Sequence, residues 1–213
     1  MQKNQTLGKE KFSIKKDFTM LALLIIPIAV AVNFVGSNMA STLKLPCYMD
    51  AIGTVFSAMI AGPWVGAVTG ALTNILTGIT NPVNFAFIPV SVVLGLTTGF
   101  CARKNLFTVW WKWLIAIFTM SLTSILVAAP IIVTVFGGVT GSGASLIGAT
   151  LMAAGSNVWA TVIGTDGLFT VLDRIIAIVI SFAVIKVIPA RTLVKFSLGQ
   201  FYIRDKKSKK DNA

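Results

Sequence analysis

The sequence predicts an all-α integral membrane protein with six transmembrane helices and both termini in the cytoplasm. Composition is the first observation behind this prediction. Of the 213 residues, 55% are hydrophobic and only 12% are charged, and the mean hydropathy is +0.85. A soluble domain typically carries about a quarter charged residues. The other two observations are a succession of apolar stretches and an uneven distribution of the basic residues.

Six apolar stretches follow one another along the chain. The expected helices cover about 18–35, 50–62, 64–78, 85–100, 114–136 and 168–188. The first is long enough for a bilayer core of about 30 Å, whereas the second and third are short and are expected to tilt or to be partly buried. Residues 137–166 are expected to be irregular. They contain an apolar piece, SLIGATLMAAG, that is too short to span and suits a re-entrant or lid-like segment.

The basic residues determine the predicted orientation. Five lie in the leader, three lie between residues 103 and 112, and eight lie from Lys186 onward. With six helices, all of these face the cytoplasm, as the positive-inside rule expects. The predicted organisation is a basic leader at 1–17, a six-helix membrane domain at 18–190 and a basic tail at 191–213. Basic ends also suit nucleic acid, but juxtamembrane charge near anionic lipid is the commoner reason for them.

Several functions are disfavoured by residues that the sequence lacks. It contains no histidine, which removes the commonest metal ligand and the commonest general base. The stretch GGVTGSG lacks the Gly-Lys-Ser/Thr ending of a P-loop, so we expect no ATP site of that kind. The acidic residues show no paired spacing for hydrolysis. We therefore expect a protein that is not an enzyme and has no cofactor or metal of its own.

The stretch from Asp50 to Gly78 carries small residues at a spacing of four, which places them on one face of a helix. Such a face lets a neighbouring helix approach closely in a membrane, where lipid gives no hydrophobic push. Pro63 interrupts the stretch and predicts a tight turn at residues 62–64. Two rows result, one of Gly62, Gly66, Gly70, Asn74 and Gly78, and one of Gly53, Ser57 and Ala61.

Three connectors are expected to converge on the outer side: residues 38–50, 81–85 and 137–166. Asp50, Asp166 and Asp173 are placed at outer helix ends, where the helix dipole alone would also favour a carboxylate. Asparagines along these segments can both donate and accept, which suits a neutral polar ligand, although each could instead bond a neighbouring helix. Phe85 and Trp159 could stack on a planar ligand or serve only in packing.

The sequence resembles the substrate-binding S component of an energy-coupling factor (ECF) vitamin transporter over about residues 18–190. The resemblance rests on six apolar helices in about 200 residues and on YMDAIGTVFSAMIAGPWVGAVTGALTNILTG followed by NPVNFAFIPVSVVLGLTTGF. It also rests on FGGVTGSGASLIGATLMAAGSNVWA before LDRIIAIVISFAVIK. It implies a multi-pass protein of the bacterial plasma membrane. Such a subunit captures a small water-soluble vitamin or precursor outside and delivers it inward with a transmembrane T subunit and two ATPases.

The resemblance also implies which residues form the sites. Together with Phe85, the expected ligand-binding residues are Asn38, Tyr48, Asp50, Asn81, Asn84, Asn157, Trp159 and Asp173. We expect partner docking on Ala22 and Ala29, which depart from the family's Ala-x-x-x-Ala spacing, and on Gly62, Gly66 and Gly70. The implied mechanism is toppling of the whole subunit while partners hydrolyse ATP. A self-sufficient facilitator or channel and a membrane enzyme are the alternatives, and the ligand could be a vitamin, a precursor, a nucleobase or a nucleoside.

Overall fold

A computed structural model describes residues 17–203, and all the regular structure in that range is helical, which confirms the all-α prediction. The predicted leader up to residue 16 and the predicted tail from residue 204 lie outside the described residues. In chain order the helices are α1 Met20–Thr42, α2 Ile52–Ala61, α3 Pro63–Thr80, α4 Val83–Ala86, α5 Ile88–Arg103, α6 Trp110–Phe136, α7 Gly143–Ala153, α8 Val158–Val187 and α9 Ala190–Leu193, followed by a 3-10 turn at Gly199–Tyr202.

Within residues 17–203, three helices have the length and apolar character to cross a membrane. These are α1, α6 and α8, with 23, 27 and 30 residues. Large apolar side chains cover their outer surfaces, and Phe118 and Leu126 on α6 are 67% and 64% exposed. Contiguous exposed apolar surface of this kind indicates contact with lipid or with another protein. The protein therefore has the architecture of a membrane protein, while the count of six spans and their orientation stay predictions.

The helices run back and forth between two ends of the bundle. The basic end is where α1 begins, α2 turns into α3, α5 ends and α8 ends. There Arg103 makes an ion pair of 2.7 Å with Asp17. The other basic residues at this end are Lys104, Lys112, Lys186, Arg191 and Lys195. Of the described basic residues that lie outside the long helices, only Lys44 is at the opposite end of the bundle.

Three helices are longer than the sequence predicted. The first continues to Thr42 instead of ending near residue 35, and the fifth expected helix begins at Trp110 rather than at residue 114. The last begins at Val158, ten residues early, because the Asn157 side chain accepts hydrogen bonds from the Trp159 and Ala160 amides and caps it. With the predicted start at residue 168, Asp173 would lie about one turn inside this helix, near its outer end. It lies about four turns inside.

The predicted turn between the second and third helices is confirmed. Gly62 has φ +110°, which favours glycine, and Pro63 is the first residue of α3. The small residues of α3 face α5 at close range. A Cβ on Gly95 would overlap the backbone of Gly66, and a Cβ on Gly70 would lie 2.6 Å from the Ser91 carbonyl oxygen. The helices can approach so closely only because these side chains are absent.

A buried polar network ties α1, α2 and α3 together. The Asn33 amide donates to Thr54 Oγ1 at 2.9 Å and to Thr73 Oγ1 at 3.0 Å, and its oxygen accepts from the Gly53 amide at 2.6 Å. Asn33 is fully buried. All of its side-chain hydrogen-bonding groups are thus engaged within the chain, and Asn33 holds the start of α2 in place.

The half of the bundle near the basic end is filled by apolar side chains. Val55, Met59 and Ile60 of α2 pack there with Ile178 and Ile185 of α8. The segment after α9 covers this core, because the Leu198 amide donates to the Ile60 carbonyl at 3.0 Å and the Ser197 hydroxyl donates to the Ala61 carbonyl at 2.7 Å. The bundle is therefore closed at its basic end.

Candidate ligand cavity

A cavity of about 180 Å³ opens at the end of the bundle opposite the basic end. Its wall is formed by the end of α1, the connector to α2, the turn after α3, α4, the beginning of α5, the second half of α6, the segment before α7 and the cavity-facing side of α8 up to Arg174. A liquid water molecule occupies about 30 Å³, so this space is large enough for a small organic molecule.

The connector between α1 and α2, residues 43–51, runs back into the bundle and forms part of the cavity wall. Its backbone amide at Met49 donates to Asp173 Oδ1 at 2.9 Å, near the middle of α8. The Tyr48 hydroxyl donates to Asp166 Oδ1 at 2.6 Å. Non-helical backbone inside a membrane protein is tolerated where it lines a cavity or is buried in protein. Two carboxylates of α8 thus fix the connector beside the cavity.

One face of α8 supplies a polar stripe to the cavity. Val162, Asp166, Thr170 and Arg174 line it and follow one another at intervals of four residues. Positions four apart share a helix face, so all four side chains point the same way. The expected ligand residues do not include Asp166, Thr170 or Arg174. The spacing of polar residues in an otherwise apolar helix was the signal that could have found them.

The deepest polar groups of the cavity are Asp50 and Arg174, with Asp173 behind them. Arg174 Nη1 lies 3.2 Å from Asp173 Oδ2. Arg174 is 5% exposed, and within residues 17–203 its Nε and Nη1 have no hydrogen-bond partner. Asp50 has no ion-pair partner among the described residues, and its side chain faces the cavity. The floor thus presents one acceptor group and one donor group that are not bonded to each other.

The surroundings of the connector raise the pKa values of Cys47, Tyr48 and Asp50, chiefly through burial. Burial, together with the nearby Asp166 carboxylate, raises the pKa of Tyr48 well above its usual range, so its hydroxyl stays protonated and donates to Asp166. Burial and the Asp173 carboxylate raise the pKa of Asp50 to about 6, against the opposing effect of the Arg174 guanidinium. Asp50 is deep in the protein but keeps accessible surface, because the cavity borders its carboxylate.

The side walls of the cavity are largely apolar. Leu94 of α5, Ile125 and Ile132 of α6, and Phe87 at the start of α5 all face it. The Phe87 ring stacks on the Phe136 ring at a centroid distance of 6.0 Å. Binding sites for small molecules commonly combine apolar walls with a few placed polar groups. The arrangement can hold a compact apolar body with its polar groups directed at the floor.

The structure brings four of the nine expected ligand residues to the cavity: Tyr48, Asp50, Asn81 and Asn84. Asp173 lies behind the wall, where it accepts the Met49 amide. The other four do not line the cavity, and each has a different local role. Asn38 donates to the Phe34 carbonyl at 2.7 Å, Phe85 packs on Gly78, Asn157 caps α8, and Trp159 is 45% exposed.

The expected lid, residues 137–166, is largely helical and contains α7 and the beginning of α8. The apolar piece forms α7, whose first turn is capped by Ser142, and residues 140–143 line the cavity. Gly143 packs directly on the backbone carbonyls of Lys44 and Leu45. This segment therefore touches the connector at the rim. Its closing over a ligand stays a prediction.

The five residues expected to dock a partner are packed within the chain. Ala22 and Ala29 are 0% and 2% exposed. Gly62 lies against the Asp17 carboxylate, Gly66 against Ala58, and Gly70 against Ser91. Contact with a partner through these positions would require the helices to separate, because their small size is used for close approach inside the bundle.

No family model, curated protein or solved structure matches this chain.

Proposed function

We propose that this protein is the substrate-binding subunit, the S component, of an ECF-type importer that captures a small water-soluble vitamin, precursor or related nutrient. One observation carries the proposal. A polar cavity opens at one end of an otherwise apolar helical bundle, and the bundle is closed at the other end. Such a cavity can hold a solute in a membrane protein without giving it a path through.

The closed end argues for a binding subunit over a self-sufficient facilitator. A facilitator needs polar groups along the whole path, or a second conformation that opens the other end. Here Met59, Ile60 and Ile178 fill the space between the cavity and the basic end, and all three are fully buried. The segment from Ser197 to Tyr202 lies over this core. Moving the ligand past this apolar layer therefore requires a large conformational change, which a partner would have to drive.

The distribution of charge supports an orientation with the cavity outward. Six described basic residues lie at the basic end, and Lys44 lies at the cavity end. By the positive-inside rule the basic end faces the cytoplasm, which in this proposal is the cytoplasm of a bacterium. A transmembrane T subunit and two ATPases then supply the energy, since the chain lacks a P-loop of its own.

Two measurements on the full chain test the proposal. The first is mass spectrometry of small molecules that co-purify with it, which identifies a bound compound. The second is uptake of that compound into vesicles containing the chain alone or the chain with the T subunit and both ATPases. We expect ATP-dependent uptake only with the partners. Uptake by the chain alone would support the facilitator, and chemical turnover of the compound would support an enzyme.

A cavity variant shows whether the compound binds in this cavity. Asn84→Ala removes an amide that lines it, and losing one buried hydrogen bond costs about 1–3 kcal/mol, roughly 5- to 150-fold in affinity. Thr119→Ala is the matched control, because Thr119 is half-buried on α6 away from the cavity, and its exposed hydroxyl donates to the Ile115 carbonyl of its own helix. Equal affinity in the two variants would place the compound outside the cavity.

A further inference from the structure

The charged groups at the cavity floor are not all paired with one another. The unpaired groups indicate which class of ligand the proposed binding subunit would take. Arg174 is paired with Asp173, whose other oxygen accepts the Met49 amide. Asp166 accepts the Tyr48 hydroxyl. Asp50 has neither an ion pair nor a hydrogen bond with another described residue, and it faces the cavity. The floor therefore offers one carboxylate whose acceptor capacity is unused.

The floor also offers donors that are unused. The Arg174 side chain is 6% exposed and lines the cavity, and its Nε and Nη1 make no hydrogen bond with the part of the chain that the structure describes. Its contact with Asp173 is an ion pair between adjacent residues of one helix and does not give either nitrogen a hydrogen bond. Nε and Nη1 are themselves buried, so a ligand reaches the guanidinium through the part of it that borders the cavity. Buried donors without partners are rare and costly, so an acceptor from outside the chain, a ligand atom or a water, is expected beside this guanidinium.

We propose that the ligand is a small dipolar molecule that directs a positively charged nitrogen at Asp50 and an oxygen acceptor at Arg174, with its apolar body against Leu94 and Ile125. This inference rests on the proposed binding function and adds the chemical class of the ligand. An ammonium or a protonated ring nitrogen satisfies the first contact. A carboxylate, phosphate or carbonyl oxygen satisfies the second.

Other charge classes fit the floor less well. A purely anionic ligand satisfies Arg174 but meets the carboxylates of Asp50 and Asp166 at close range, and like charges in a buried site repel strongly. A purely cationic ligand satisfies Asp50 but leaves the Arg174 donors without an acceptor. A neutral ligand leaves the Asp50 carboxylate without an ion-pair partner at the cavity floor.

The test is a competition among charge classes. The full-length protein in lipid nanodiscs is equilibrated with a defined mixture of water-soluble metabolites at equal concentration. The mixture holds amino acids and other dipolar compounds, amines, carboxylates and phosphates, and neutral nucleobases and sugars. Mass spectrometry of the bound fraction identifies what is retained. We expect dipolar compounds to be enriched at least tenfold over the other three classes.

Variants then assign the contacts. Asp50→Asn should lower retention of the dipolar compound at least tenfold and shift the preference toward compounds that lack the charged nitrogen. A merely structural role of Asp50 would not change this preference. Lys112→Gln is the control, because it also changes one charge but lies at the basic end, and it should retain the wild-type preference. Arg174→Lys keeps the charge and should weaken binding of compounds that carry the acceptor oxygen.

Wild-type protein gives a readout that does not depend on the folding of a variant. Retention of the dipolar compound should fall as the pH is lowered from 7.5 to 5, because a proton on Asp50 removes its attraction for the nitrogen. The charged and titratable groups that face Asp50 are Tyr48, Asp173 and Arg174. Enrichment of anionic or neutral compounds instead would overturn the inference and leave the proposed binding function standing, whereas enrichment of nothing would overturn both.

Discussion

Replacing Gly70 by alanine tests whether close approach of α3 and α5 holds the cavity together. A Cβ at this position would lie 2.6 Å from the Ser91 carbonyl oxygen and 3.0 Å from Ser91 Cβ, whereas ordinary contact begins at 3.4 Å. The two nearest atoms, the carbonyl oxygen and carbon of Ser91, belong to the backbone and cannot turn aside, and Ser91 Cβ is fixed to that backbone. The two helices must therefore move apart by about 1 Å, because packed interiors transmit such a strain.

The expected loss of stability of the Gly70 variant follows from this overlap. Inserting a methyl group into a packed interface costs about 1–3 kcal/mol. For a chain of this size each kcal/mol lowers the melting temperature by about 2–4 °C, so the expected loss is about 2–12 °C. Separation of the helices also weakens the hydrogen bond of 2.8 Å from Asn74 Nδ2 to Ser91 Oγ. Ser91 lines the cavity, so we expect weaker ligand binding as well.

The assay heats the protein in detergent and then measures, by size-exclusion chromatography, how much of the monodisperse peak remains at each temperature. Gly164→Ala is the matched control, because Gly164 also lies within a helix but a Cβ there meets no atom within 4 Å. Alanine favours a helix over glycine by up to about 1 kcal/mol, so this control should melt at or slightly above the wild-type temperature. The reasoning would be refuted if the Gly70 variant melted as high as the Gly164 variant.

Three further predictions concern buried polar groups. Asn33→Ala leaves the Gly53 amide without its acceptor and removes the amide donor to two threonine hydroxyls, so it should lower stability by about 2–4 kcal/mol, whereas Asn38→Ala, which loses one local bond, should cost under about 1 kcal/mol in the same melting assay. Arg103→Gln leaves Asp17, which is 1% exposed, without its ion pair and should cost about 3–5 kcal/mol at neutral pH. Burial raises the pKa of Asp17, so protonation should relieve part of this loss as the pH is lowered, and a loss that stays constant with pH would contradict the assignment. Tyr48→Phe removes the donor to the α8 carboxylate and should loosen the connector, which is measurable as faster hydrogen exchange at residues 43–51.

The helical class and the close-packed rows could be predicted because they depend on local patterns. Apolar stretches bounded by Gly, Pro and charged residues predict helices. Glycines four residues apart predict a helix face on which a neighbouring helix can pack closely. The turn at Gly62 and Pro63 could be predicted from these two adjacent residues alone. The lengths of the helices were harder to predict. The start of α8 was missed because Gly164 and Thr165 look like a break in sequence, although α8 continues through them.

The cavity depends on contacts between distant segments, which local patterns do not contain. Asn81 and Asn84 could be assigned to the cavity because they follow the end of a helix that was predicted to finish on the outer side. Asn157 and Trp159 have the same residue chemistry, but one caps a helix and the other points outward. Arg174 was not among the expected ligand residues. It is buried because the connector returns into the bundle and places Met49 and Asp50 beside it.

The shortness of α2 has an electrical consequence. Its 10 residues are about 15 Å long, roughly half of a bilayer core of about 30 Å. If the cavity is filled with water, most of the voltage across the membrane falls over the apolar layer around α2. Moving one elementary charge through that voltage involves about 2.3 kcal/mol per 100 mV. The packing of Met59 and Ile60 therefore determines how well the protein resists ion leakage, and a polar residue at either position should raise the conductance of a membrane that contains it.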